Sequence, residues 1–207
     1  MNRRQLWISL LLLWSLAPML WQLISSFTTT AALVDGGVPF LQRWTLIHYR
    51  QLLSSDPPFW RFLLNSTVLA SASTVLTIAL AIPAAYGLVR LPQRWLRVSR
   101  TLIAGAALFP YVILFLALLE LARSLNLGNS LLALAIPYSA LSLPLALLLL
   151  TAAFEGLPRD LDDAAKLEGM SLVQRLRWVL IPLIAPATAS TAILVFLFAW
   201  NEYPIAL

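Results

Sequence analysis

Charge along this chain is distributed in blocks. No Asp, Glu, Lys or Arg occurs in residues 5–34, 62–89, 101–119, 124–154 or 178–201. A helix needs about 20 apolar residues to cross about 30 Å of hydrocarbon at roughly 1.5 Å per residue. Each block reaches or approaches that length. The pattern predicts spans at 6–27, 62–89, 101–120 and 131–154, and a fifth from Trp178. Between them lie an outer segment at 28–61, a basic inner loop at 90–100, an outer turn at 121–130 and a charged inner loop at 155–177. The expected fold is all-α: one polytopic transmembrane domain over 1–207 with five spans.

Composition agrees. Hydrophobic residues make up 60% of the chain and charged residues 11%, too few charges to cover a soluble domain of this length. The first block opens on Asn2-Arg3-Arg4 and carries Ser15-Leu16-Ala17, as a secretory leader does. However, Pro18 follows directly and the apolar run continues to Phe27, so it reads as a retained span. A cytoplasmic N-terminus puts Arg3, Arg4, Arg90, Arg94, Arg97, Arg100, Arg159, Lys166, Arg175 and Arg177 inside. It leaves Arg43, Arg50, Arg61 and Arg123 outside, which satisfies the positive-inside rule. The net charge of +5 therefore reflects topology. No loop interleaves basic and aromatic residues as a nucleic-acid surface does.

Candidate chemistry is sparse. With no Cys and His48 as the single His, thiol catalysis, disulfides, iron–sulfur clusters and ordinary zinc sites are excluded. An intramembrane protease needs a nucleophile with a His, or a metal pair, and the single His lies in the outer segment. A secondary transporter needs ionisable groups within its spans, and Glu120 and Glu202 stand only at span ends. Prolines 18, 83, 110, 137, 144, 182, 186 and 204 lie within or at the ends of spans. Each frees a backbone carbonyl and bends its helix. In the outer segment, Thr45 is placed to cap a short helix with Leu46, Tyr49, Leu52 and Leu53 on one face. That helix reads either as an interfacial element or as a surface for an external partner.

Nine of the 23 charged residues fall between Glu155 and Arg177. The stretch parses as two short helices meeting at a glycine. Pro158 suits the first helical position, and Asp160, Asp162 and Asp163 complement the helix dipole. Gly169 is placed to stop the first helix; Ser171 and Gln174 form a capping-box pattern for the second. Residues 155–168 hold five acids and two bases, whereas a helix lying on an anionic leaflet is normally basic. An acidic start beside Ala164-Ala165 suits docking into a protein groove.

This loop resembles the signature of importer-type ABC transporter permeases, and three further stretches narrow the resemblance to the maltose-type carbohydrate family. Asp163-Ala164-Ala165, Gly169 and the apolar-x-apolar-Pro ending Val179-Leu180-Ile181-Pro182 keep both spacings, with Asp163 in place of the usual Glu. "NSTVLASASTVLTIALAIPAAYGLVR" (65–90) resembles the family's second span. "FLFAWNEYPIAL" (196–207) resembles its Trp-Asn-Glu-aromatic segment, and "TLIHYRQLL" its outer motif, with His48 where an Asn is common.

The resemblance implies the type I ABC importer permease fold, with one further span beyond the apolar end at Leu207. It implies a permease subunit rather than an enzyme, in the inner membrane. The implied partners are a second permease subunit, a cytoplasmic ABC ATPase dimer, a periplasmic or lipid-anchored sugar-binding protein, and membrane lipids. ATP and magnesium belong to the ATPase; this chain lacks a phosphate loop ending in Gly-Lys-Ser/Thr, and Lys166 is its single lysine. The implied coupling residues are Asp162, Asp163, Ala164, Ala165, Gly169, Ile181 and Pro182, with Asp163 supplying charge to the ATPase and Gly169 setting the interhelical angle. Asn65, Trp200, Asn201, Glu202 and Tyr203 are candidate substrate-path residues; Trp200 and Tyr203 read equally as interfacial aromatics. Polyamine, phosphate or amino-acid permeases share the same loop and stay open as alternatives.

Overall fold

A computed structural model describes residues 3–35, 44–124 and 131–201, all helix, turn or coil. The helices are α1 (Arg3–Ser25), α2 (Thr30–Val34), α3 (Ile47–Leu53), α4 (Phe59–Val89), α5 (Gln93–Ala107) and α6 (Tyr111–Ser124). They continue as α7 (Leu131–Glu155), α8 (Arg159–Leu167), α9 (Leu172–Arg175), a π-helical turn (Leu176–Leu180), α10 (Ile181–Leu183) and α11 (Ala185–Asn201). The chain forms two compact units, Met1–Phe62 and Leu63–Leu207.

In the first unit, α1 is apolar around its circumference and buries none of its residues. Such a helix is matched to hydrocarbon rather than to water. Beyond it, the expected Thr45 cap is displaced: Leu46 is the N-cap of α3 and makes no side-chain cap bond, while Thr45, one position earlier, accepts from the Ile47 amide through Oγ1 (3.2 Å). Leu46 occupies the position before the helix, and Leu46, Tyr49, Leu52 and Leu53 stay exposed. His48 has a structural partner: its Nε2 lies 2.9 Å from the Thr28 carbonyl. Trp44 stacks on Phe27, and Tyr49 meets the same ring tilted by 35°.

In the second unit, α5, α6 and α11 each pack on α7. The buried face of α4 repeats every four residues: Leu69 and Ala70, then Ser73, Thr77, Ala81, Ala85 and Val89. Small residues at this spacing let helix backbones approach closely where lipid removes the hydrophobic incentive to associate. Two apolar clusters result. One joins Leu69 and Ala70 to Ala135, Tyr138 and Ala199. The other joins Ala81, Ala85 and Val89 to Ala146, Leu150, Phe154, Leu180, Ile184 and Val195. Between the clusters along α4 and α7 run the buried hydroxyls Ser73, Thr77, Ser139 and Ser142. Ser139 Oγ donates to the Ser73 carbonyl (3.1 Å) and so ties the two helices together.

Two of the five expected spans are not single continuous helices. Among the described residues three helices are long and apolar enough to cross a membrane: Arg3–Ser25, Phe59–Val89 and Leu134–Glu155. The pair Leu172–Leu183 and Ala185–Asn201, bent by 83°, makes a fourth if it is one span. The predicted span at 101–120 is instead divided between α5 and α6, with the break at Leu108–Pro110. Pro110 has no amide hydrogen to continue α5, and it biases Phe109 away from helical geometry. Likewise, Pro186 cannot bond back to the Pro182 carbonyl, and the chain turns between α10 and α11. The predicted basic loop at 90–100 is helical from Gln93, with Leu96 facing inward.

Candidate functional site

The charged stretch folds as two short helices around a fixed corner. Helix α8 starts at Arg159, one residue later than expected. Pro158 takes an extended conformation instead, and its carbonyl accepts from the Leu161 amide. At the other end Gly169 has φ +79°. Its amide donates to the Lys166 carbonyl (3.1 Å), and the Met170 amide reaches back to Ala165 (3.1 Å). This pair of bonds closes the helix around a left-handed residue, the conformation glycine adopts without a Cβ clash. The expected capping box is present: Gln174 Oε1 accepts from the Ser171 amide (2.8 Å), and Ser171 Oγ accepts from the Gln174 amide (3.4 Å).

The two adjacent acids, Asp162 and Asp163, diverge. Asp163 is exposed, as is Ala164, whereas Asp162 is 2% exposed and Ala165 is buried beside it. Three groups converge on the Asp162 carboxylate. Tyr86 Oη donates to Oδ2 (2.8 Å), Arg90 Nη2 donates to the same oxygen, and Arg175 Nη1 donates to Oδ1 (2.9 Å). The Arg90 guanidinium also lies over the Tyr86 ring, 5.0 Å from its centroid. Phe154 of α7 meets that ring edge-on at 5.9 Å and 71°. One carboxylate therefore joins the ends of α4, α8 and α9, with α7 held against the same tyrosine. A cavity of about 80 Å³ opens beside it, with Tyr86, Arg90, Gln93, Arg159 and Asp162 in its wall. Nearby, Arg100 pairs with Glu155 in a more exposed setting.

The outward face of this knob is apolar and charged together. Leu167 is 89% exposed and Val173 71%, alongside Asp163, Lys166 and Glu168. Ile181 is partly buried and Pro182 exposed; their neighbours Leu180 and Ile184 enter the core. Tyr86, Arg90 and Arg175 have no place in the site read from the sequence. The available signal is the i, i+4 pairing of Tyr86 and Arg90, one face of the last turn of α4.

Of the candidate substrate-path residues, Asn65, Trp200 and Asn201 lie at the other end of the bundle. Asn65 is exposed one helical turn before Leu69, and Trp200 and Asn201 follow Ala199, which packs in Leu69's cluster. Trp200 stacks on Phe196 at 5.6 Å, and Asn201 Nδ2 donates to the Leu197 carbonyl (2.8 Å). Glu202 and Tyr203 lie outside the described residues.

Residues 77–207 match the family described as binding-protein-dependent transport system inner membrane component. The chain belongs to this family. It is an importer-type ABC permease, and its relatives match along almost its whole length. It is 41% identical to the sulfoquinovosyl glycerol transport system permease protein SmoH of Agrobacterium fabrum over 96% of this chain and 70% of that one. It is 36% identical to the trehalose/maltose transport system permease protein MalG of Thermococcus litoralis, covering 93% and 69%. It is 35% identical to the trehalose transport system permease protein SugB of Mycobacterium tuberculosis, covering 94% and 70%. The permease also superposes on a crystal structure of a bacterial ABC transporter involved in the import of the acidic polysaccharide alginate. The TM-score is 0.75 at 24% identity, over 96% of this chain and 70% of that one. That likeness establishes the fold.

Proposed function

We propose that this permease is one membrane subunit of an ATP-driven carbohydrate importer, and that its α8–α9 knob seats in a separate cytoplasmic ATPase. The observation that carries the coupling role is the corner at Gly169. Two capped helices meet there and present Asp163, Ala164, Leu167 and Val173 outward, while Asp162 anchors them from within. An exposed apolar-and-acidic face on a stiff support fits a protein groove better than water or an anionic leaflet. In this reading Asp163 meets a cation of the ATPase, and Ala164 allows close approach. ATP and magnesium are bound and turned over by that partner, and the N-terminus and the knob share the cytoplasmic side.

Carbohydrate as the cargo is supported by relatives named for sulfoquinovosyl glycerol, trehalose/maltose and trehalose transport. Asn65, Trp200, Asn201, Glu202 and Tyr203 are the proposed sugar-path residues, since amides bond hydroxyls and indole or phenol rings cover apolar sugar faces. A second permease and an extracytoplasmic binding protein complete the machine. The test is reconstitution of the permease with the ATPase, partner permease and binding protein encoded beside it. ATP hydrolysis stimulated by binding protein loaded with a disaccharide supports the reading. Stimulation only by a polyamine- or phosphate-loaded protein contradicts the carbohydrate assignment.

A further inference from the structure

Asp162 is a buried carboxylate that neither the docking face nor the sugar path uses. Both of its oxygens are engaged, by Tyr86 of α4 and Arg90 just beyond its end on one side and by Arg175 at the end of α9 on the other. These partners are 76, 72 and 13 positions away in sequence, so the bonds join elements that local structure leaves independent. The loop itself is stiff: the Gly169 corner is closed by two backbone bonds, and α9 starts in a capping box. Yielding geometry begins beyond it, where the π-helical turn Leu176–Leu180 leads to the 83° bend before α11. A π turn and a proline-flanked break are places where a helical ladder is already interrupted.

We propose that Asp162 is a positioning residue that makes α8, α9 and the end of α4 one mechanical body. A displacement of the knob is thereby delivered to α4, while the bend at Leu183–Ala185 absorbs the motion of α11. This rests on the reading that the knob docks on an ATPase. The physical argument is one of charge. The carboxylate bridges two guanidinium groups in a half-buried pocket and offsets one of their two charges; without it Arg90 and Arg175 repel each other across the gap between α4 and α9. The knob then moves without carrying α4.

The chain has no cysteine, so a single spin-label pair reports on this directly. Val68→Cys and Leu197→Cys place labels on exposed positions of α4 and α11, near the end far from the knob. The distance between them is measured in the assembled transporter without nucleotide and after trapping with MgATP and vanadate. The otherwise native complex is expected to show a nucleotide-dependent change. With Asp162→Asn added, most of that change is lost. Asp162→Glu, which restores the charge, recovers part of it. Should Asp162→Asn fail to assemble, Tyr86→Phe removes one hydrogen bond and keeps the ring, and a smaller but clear reduction is expected. Full retention of the change in whichever variant assembles overturns the proposal; so does a native complex in which nucleotide moves nothing between the labels. A permease that binds no ATPase contradicts the functional reading itself, a result separable from these.

Discussion

Asp162 and Asp163 are neighbours in sequence and enter different surroundings. The first is sealed against Tyr86, Arg90 and Arg175; the second is open to solvent. The helix dictates this division, because consecutive residues on an α-helix point about 100° apart. Only one of two adjacent acids can join Ala165 on the buried side. Substitutions at the two positions are therefore expected to separate assembly of the permease from its recognition. Asp163→Ala should change the permease's own stability by no more than about 0.5 kcal/mol, as for surface positions, yet weaken capture of the ATPase. Asp162→Ala should cost about 3 kcal/mol, the low end for breaking a buried ion pair, since Arg90 is partly exposed. Thermal melting in detergent, paired with ATPase pull-down, checks both halves.

Gly169 tests the corner. A Cβ built there meets no atom within 4 Å, so the obstacle to a side chain is backbone conformation at φ +79°. That conformation costs an ordinary L-residue roughly 1–2 kcal/mol. Gly169→Asn should be tolerated best, Gly169→Ala less well and Gly169→Val least. The same order is expected in sugar taken up per ATP hydrolysed, with membrane insertion unaffected. A valine variant that transports normally contradicts the account of this residue.

The capping box carries a local prediction. Ser171→Ala removes the oxygen that accepts from the Gln174 amide, a loss of about 1 kcal/mol for an N-cap. Hydrogen exchange should accelerate at the amides of Val173–Arg175, with α8 protection unchanged.

Arg100 supplies a contrast with Arg175. It pairs with Glu155, and both side chains are about a third exposed. Arg100→Gln should cost less than about 1 kcal/mol. Arg175→Gln should cost more, because it strips a nearly buried carboxylate of one donor. Parallel melts of the two variants separate the surface pair from the clasp that Tyr86, Arg90 and Arg175 form around Asp162.

Features written in local signals are legible in the sequence alone. The uncharged blocks reveal a helical membrane protein. Gly169 and the Ser171–Gln174 pair each announce a helix boundary through chemistry contained within a few residues. The breaks at Pro110 and before Ala185 are less visible. Freedom from charge indicates that a segment tolerates lipid, and does not indicate that its hydrogen-bond ladder is continuous. Least visible is the clasp. Tyr86 and Arg90 meet Asp162 across more than 70 positions, and no periodicity encodes which of two adjacent acids turns inward until α4 and α8 are packed. The proposed sugar-path residues are picked out by residue type alone, and the fold places Asn65, Trp200 and Asn201 toward one end of the bundle, opposite the Asp162 cluster.

The most direct test of the central claim uses Leu167, the most exposed apolar residue of the knob. A Leu167→Cys variant in native membranes is treated with a membrane-impermeant thiol reagent, in right-side-out and in inverted vesicles, with and without the ATPase. Labelling confined to inverted vesicles and suppressed by bound ATPase is the predicted result. Labelling from the outside, or labelling that the ATPase leaves unchanged, would contradict the account.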